Sequence, residues 1–294
     1  GRNYEMADPI LKWAGGKRGL IPEILSLFPA DFKNRNYHEP FVGGGAVFFK
    51  IRPKSGSIND VNPRLINFYQ VVRDKAEDLI AQAGRYPHDK EAYYKLRDRF
   101  NQRGLSDVEE AALLLYLNKT AFNGLYRVNS KGEFNVPFGR YKNPTIVPEG
   151  RIRAATKILK KAQIFNKDFS YVLDYANEGD LCYLDPPYQP VSDTANFTSY
   201  SAEGFDLKEQ RRLRDACVEL DNNGVLFVLS NSYVKPIREM YEEIKNFRIE
   251  IVQARRAISS KASTRGPINE VLITNIPEEV SRKKRSTLTS YLEN

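Results

Sequence analysis

EPFVGGGAVFF, residues 39–49, places three consecutive glycines, Gly43 to Gly45, between two apolar stretches. The preceding RNYHEPF reads as a short strand and the following AVFFKI as a helix. In an open α/β sheet such a turn lies at the carboxyl end of the first strand, where backbone lacking Cβ atoms approaches a ligand closely. A tight strand-to-helix connection with no ligand remains the simpler alternative. Working outward, GSINDVN reads as a second strand ending in acid, AQIFNKD as a third, DLCYLDPPY as a fourth ending in a rigid loop, and VLFVLSNS as a fully buried fifth. FRIEIVQA and NEVLITNI read as a closing antiparallel pair. Helical patterns lie between these strands, which predicts a mostly parallel sheet with crossovers. Residues 63–150 break the alternation. They read as a mostly helical insert that ends in an aperiodic stretch, NGLYRVNSKGEFNVPFGRYKNP, of hairpin or exposed-loop character.

The chain has 294 residues, 41% apolar and 28% charged, so it is long enough for a sizeable core and too apolar to be disordered. No apolar run approaches a membrane span. Gly1 to Asp8 is polar and no apolar segment follows, so no signal peptide is expected. Cys182 and Cys217 sit in apolar contexts and read as buried free thiols, in keeping with a reducing cytoplasm. The formal charge of +8 favours a polyanionic partner. The basic residues cluster: Lys119, Arg127, Lys131, Arg140 and Lys142 face a single acid, Glu133, between 111 and 148. Arg255, Arg256, Lys261 and Arg265 form a second group. SRKKRS near the C-terminus is a third, or merely a solvated end.

Asp60 and Asp168 end the second and third strand-like runs. A carboxylate at the first position can accept from both ribose hydroxyls, and one at the second from an exocyclic amine. Singly, each is as readily a helix N-cap. With the glycine turn they mark three successive strand ends, which points to a nucleoside. The other glycine pair, in LKWAGGKRG, invites a phosphate-loop reading, yet Lys17 has no Ser or Thr after it and the strand-to-helix glycine turn lies further on. Lys17 is better matched to a carboxylate. YLDPPYQP is the strongest signal. Asp185 ends a buried strand, Pro186 and Pro187 stiffen the next backbone and offer carbonyls without local amide donors, and Tyr188 presents a flat ring. An acceptor pair beside an aromatic plate suits the amino group of a planar base. That amine is a poor nucleophile because its lone pair is delocalised, and acceptors gripping its hydrogens favour tetrahedral nitrogen.

LKWAGGK, EPFVGGGAVFF, NDVNP, AFNGLYRVNSKGEFNVPFGRYKNP, Asp168-Phe169, DPPY and SNS at 230–232 together resemble the Dam/DpnM family of adenine-N6 DNA methyltransferases, from about Asp8 to Asn275. The resemblance implies a class I S-adenosylmethionine-dependent methyltransferase fold: a Rossmann-like, mostly parallel sheet with one antiparallel strand. Residues 1–62 and 151–294 would form the catalytic part and 63–150 a DNA target-recognition insert. It implies S-adenosylmethionine as donor, held by Trp13, Lys17, Glu39, Phe41, Gly43, Gly45, Asp60, Asp168, Phe169 and Asp185. Asp185, Pro186, Pro187 and Tyr188 would act on a flipped adenine. No metal is implied, and two histidines and two cysteines offer no ligand spacing. The usual family target is GATC, with Lys12, Asn123, Leu125, Arg127, Asn135, Pro137 and Arg140 at or near it and Lys261 and Arg265 on phosphates. For the basic residues, pure phosphate contact stays open. Double-stranded DNA is the implied partner, and the enzyme is expected to be a cytoplasmic monomer, bacterial or phage-encoded. Roles in restriction, replication marking or a viral countermeasure all fit. Methylation of an RNA base or a protein amide, and non-catalytic DNA binding, are the competing readings. The first residue of D-P-P-Y and the basic insert disfavour the protein target, and an intact D-P-P-Y argues against non-catalytic binding.

Overall fold

The structure, a computed structural model, describes residues 8–15, 20–191, 204–254 and 268–281. Seven strands, β1 (Tyr37–Glu39), β2 (Gly56–Asn59), β3 (Gln163–Phe165), β4 (Leu181–Leu184), β5 (Leu226–Ser232), β6 (Arg248–Ala254) and β7 (Ile268–Thr274), follow the order β3-β2-β1-β4-β5-β7-β6. β2 runs parallel to β3, β1 to β4 and β4 to β5, whereas β7 is antiparallel to both β5 and β6. The expected mostly parallel sheet with one reversed strand is therefore present. The helices are α1 (Ile21–Leu27), α2 (Ala46–Ile51), α3 (Pro63–Asp74), α4 (Ala76–Ala83), α5 (Lys90–Gln102), α6 (Asp107–Thr120), α7 (Glu149–Leu159), α8 (Tyr171–Tyr175), α9 (Leu207–Asn222) and α10 (Lys235–Glu242).

The chain divides into two compact units, one of Gly1–Gly16 and Val42–Lys167, the other of Lys17–Phe41 and Asp168–Asn294. In the first, α6 is the central helix. Its AALLLYLN run is buried all round, as a helix apolar on every face must be, and it packs against α3, α4 and α5. The helix starts follow capping chemistry: Asn62 Oδ1 accepts from the Arg64 and Leu65 amides with Pro63 at the first position, Asp89 caps α5, and Ser106 caps α6. Arg64, although buried, is satisfied by Glu110 at 2.8 Å and by the Phe100 carbonyl at 2.6 Å.

The second unit is organised by β4 and β5, whose apolar residues are buried on both faces, the pattern of an interior parallel strand. α9 turns Leu213, Ala216, Cys217 and Leu220 toward Cys182, Leu184, Phe227 and Leu229. Full burial of each leucine or phenylalanine contributes roughly 1.5–3 kcal/mol. Both cysteines are free and buried here, as their contexts predict. His38 of β1 sets its Nε2 2.8 Å from Asp180 Oδ2, just ahead of β4, which makes it a satisfied core histidine. Among the described residues no helix is long and apolar enough to cross a membrane.

Gly45 closes the turn into α2 with φ of 75°, and a Cβ there would stand 2.7 Å from the buried Phe49 ring. Gly45→Ala adds left-handed strain and overpacking together, so a loss of about 2–4 kcal/mol in unfolding free energy is expected from urea denaturation. A loss under about 1 kcal/mol would show that the turn yields.

Candidate functional site

The glycine turn is fixed from three directions within its own unit. The Gly43 amide donates to Asp60 Oδ2 at 3.0 Å, and its carbonyl accepts from the Tyr69 hydroxyl at 2.5 Å. The Trp13 indole covers the side where a Cβ would project, 3.1 Å away at Cδ1. Asp60 Oδ1 accepts from the Asn62 amide at 3.0 Å, so Asp60 shapes the strand end while Asn62, not Asp60, caps α3. Tyr69 escaped the sequence reading because it sits at an ordinary apolar position of α3.

In the second unit, Glu39 ends β1 at 2% exposure. Its Oε1 accepts from the Tyr37 hydroxyl at 2.7 Å, and its Oε2 is buried with no hydrogen-bond partner among the described residues. Burial pushes its carboxyl well above the usual range, with nearby Asp185 adding to the shift against the Tyr37 bond. Asp185 follows β4 and is half-buried. The Ser230 hydroxyl donates to its Oδ1 at 2.9 Å, and the Tyr183 hydroxyl lies 3.0 Å from Ser230 Oγ. Tyr188 is half-buried, and burial raises its phenol. The loop beyond Asp185 is clamped by side chains that sequence reasoning gave no role. Gln210 Nε2 of α9 donates to the Pro187 carbonyl at 2.9 Å, and Asn231 joins Gln210 to the Gln189 amide. The Pro187 carbonyl therefore does have a donor, a distant one rather than the local amide the sequence lacks.

Asp168 lies three residues past β3 and is gripped by Arg212 of α9 through two bonds of 2.8 and 2.6 Å, with the Ser170 amide as a third donor. Arg212 holds the Asp168 carboxyl well below the usual range. The same guanidinium lies 4.1 Å above the buried Phe169 ring, which stacks on Phe41 at 5.4 Å. Arg212 was missed as well. A basic residue in an amphipathic helix carries no local mark of its distant partner.

The aperiodic stretch of the insert forms an irregular hairpin. Ala121 bridges to Phe138 and Val128 to Phe134, and the Asn129 carboxamide closes the turn by accepting from the Lys131 and Glu133 amides. α5 holds one arm: Tyr93 and Arg97 donate to the Val136 carbonyl, and Asn101 pairs with both backbone groups of Phe134. This leaves Asn123, Leu125, Arg127, Pro137 and Arg140 exposed, with Asn135 half-buried. Arg127 Nε donates to Asn135 Oδ1 at 3.1 Å, and the guanidinium makes no other protein hydrogen bond among the described residues. Lys12 joins this group. Its backbone is held at both ends by Asn118, and its side chain fills the space beside Gly124, where a Cβ would be 2.6 Å from Lys12 Cδ. Trp13, next along, stacks on Tyr126 at 4.8 Å. Lys17, Lys261 and Arg265 lie outside the described residues. No group of three or more His, Cys, Asp or Glu is placed to hold a metal ion among the described residues.

The family profile of the D12 class N6 adenine-specific DNA methyltransferase matches residues 13–258, which takes in the glycine turn, the insert and D-P-P-Y. This chain belongs to that family. It is 43% identical over 274 residues to a type II methyltransferase of Lactococcus lactis subsp. cremoris, covering 91% of this chain and 95% of that one. It is 41% identical over 287 residues to a type II methyltransferase of Methanocaldococcus jannaschii, covering 91% and 98%. It is 36% identical over 280 residues to the DNA adenine methylase of Escherichia coli K12, covering 94% and 98%. The protein is thus an adenine-specific DNA methyltransferase, and DNA is its substrate.

Glu39 also makes a stability prediction. Its folded pKa is raised above its ordinary value of 4.5, so the fold gains nothing from ionising it and loses stability as pH rises past that value. Glu39→Gln is expected to raise the melting temperature at pH 7–8, with the gain shrinking below about pH 4.5. Thermal melts across that range check it, and a lower melting temperature at pH 7–8 would contradict it.

Proposed function

We propose that this enzyme moves a methyl group from S-adenosylmethionine to N6 of an adenine flipped out of duplex DNA, with GATC as the target. The reading is carried by Asp185, a carboxylate at the end of β4 with one oxygen held by Ser230, followed by two prolines and Tyr188. Asp185 and the Pro186 carbonyl accept the hydrogens of the exocyclic amine, which favours a tetrahedral, nucleophilic nitrogen. Tyr188 stacks on the base, and Pro187 keeps the loop rigid. When bound, S-adenosylmethionine supplies an electrophilic methyl group on a sulfonium. Glu39 fits the cationic side of such a donor, because its buried Oε2, without a partner among the described residues, gains one when a positive group reaches it. Asp60 takes the ribose hydroxyls. Asp168, whose oxygens keep lone pairs beyond those Arg212 uses, takes the cofactor's exocyclic amine with Phe169 against its ring. Trp13, Lys17, Phe41, Gly43 and Gly45 complete the set on the strength of the family resemblance.

Residues 63–150 read the DNA, and 1–62 with 151–294 carry the chemistry. Arg127, with its fork open, is suited to a guanine edge. Lys12, Asn123, Leu125, Asn135, Pro137 and Arg140 lie at the bases or backbone, and Lys261 and Arg265 on phosphates. The enzyme acts as a monomer in the cytoplasm of a bacterium or a phage-infected cell. GATC rests on the match of the insert to the family pattern.

Transfer of tritiated methyl from S-adenosylmethionine to duplexes carrying GATC, or GATC with one base changed, tests the whole reading. Equal labelling of all duplexes would reject the target. Asp185→Ala is expected to abolish transfer while leaving DNA binding intact, since one charged contact to the reacting amine accounts for roughly 3 kcal/mol or more of the barrier. Near-normal turnover would sink the mechanism.

Arg127→Ala is expected to relax discrimination at one base pair, by about 1–3 kcal/mol. Relative methylation at two salt concentrations decides: a uniform, salt-dependent loss across sequences marks a phosphate contact instead.

A further inference from the structure

The stretch Ser230-Asn231-Ser232 ends β5, and its first serine holds one oxygen of Asp185 without itself touching donor or base. Its place follows from register. Leu184 pairs with Leu229 in the parallel β4–β5 ladder, so the next residues along, Asp185 and Ser230, come side by side. Side chains alternate along a strand, so Tyr183 and Asp185 project to the same face. Three polar groups thereby meet in the buried part of the sheet: Ser230 is 0% and Tyr183 1% exposed.

The directions of the two hydrogen bonds are fixed by hydrogen count. Ser230 Oγ donates its single hydroxyl hydrogen to Asp185 Oδ1, 2.9 Å away. Ser230 then has only lone pairs to offer Tyr183, and the Tyr183 hydroxyl, 3.0 Å away, must donate. Burial raises the Tyr183 phenol well above its ordinary value, so it keeps its hydrogen at any working pH.

We propose that Ser230, oriented by Tyr183, is a positioning residue for methyl transfer: the chain Tyr183 to Ser230 to Asp185 pins one carboxylate oxygen so that the other is held toward the target amine. The inference rests on the methyl-transfer reading above. It extends that reading to two residues that touch neither donor nor base. A carboxylate free to rotate about its last torsion spends much of its time misaligned, and alignment is what a preorganised group contributes to rate. A merely structural serine, by contrast, would affect stability and not turnover.

The test uses the full chain with Tyr183→Phe, which removes only a hydroxyl, Ser230→Ala, and the double variant. Readouts are kcat, KM for S-adenosylmethionine and for the duplex, gel-shift affinity for DNA, and thermal melting. Ser230→Ala is expected to lower kcat about tenfold to a hundredfold, with both KM values and DNA affinity changed less than about threefold. Tyr183→Phe should lower kcat severalfold. The double variant should match Ser230→Ala within about twofold, because the phenol acts only through the serine. Unchanged kcat in a folded Ser230→Ala enzyme would overturn the proposal, as would losses confined to KM or single effects that multiply in the double variant. Should Ser230→Ala fail to fold, Tyr183→Phe decides, and an unchanged kcat there overturns it. Wild-type enzyme that labels no duplex would instead remove the underlying reading.

Discussion

The first unit depends on the three-way restraint at Gly43. A residue without a side chain is held by its amide to Asp60, by its carbonyl to Tyr69 and across its open face by Trp13. Each partner comes from a different element, namely the end of β2, the middle of α3 and the segment before α1, so the turn is the point through which these elements are placed. The arrangement gives each Asp60 carboxylate oxygen a backbone amide donor in a partly buried place, where an unpaired polar group would be costly. It also continues outward, because Trp13 stacks on Tyr126 and Lys12 lies along Gly124. The hairpin that carries the exposed basic and amide side chains is therefore seated on the same indole that covers the glycine turn.

The second unit solves a different problem, that of keeping carboxylates at buried strand ends. Glu39 and Asp185 are treated unequally. Asp185 receives a donor from the neighbouring strand, and Asp168 receives an arginine and an amide. Among the described residues, Glu39 receives only a phenol on one oxygen. The unequal treatment separates a carboxyl whose neutral form burial favours from carboxylates supported as anions. Such separation of environments among like groups is how one sheet edge supports distinct chemical tasks.

Most of the sheet was legible in the sequence because its strands are short apolar runs bounded by glycine, proline or acid. β1 to β5 and the reversed closing strand appear where the pattern put them. D-P-P-Y and the glycine turn were legible for the same reason: their residue types are ones the backbone itself demands. What the sequence withheld are partners that meet only after folding. Arg212 looks like any charged position of an amphipathic helix, yet it engages Asp168 forty-four residues away. Gln210 clamps the Pro187 carbonyl, and Tyr69, at an apolar position of α3, carries its hydroxyl to the glycine turn. Helical periodicity reports which face is buried. It does not report which polar atom on that face finds a distant acceptor.

Trp13 is the chain's only tryptophan among 17 tyrosines. Near-ultraviolet excitation beyond tyrosine absorption therefore produces light from one indole, whose ring touches Gly43 and overlaps Tyr126. The protein carries a built-in optical probe at the junction of its turn and its hairpin. Any shift in emission colour, lifetime or quencher access is assigned to that spot without a label or a substitution.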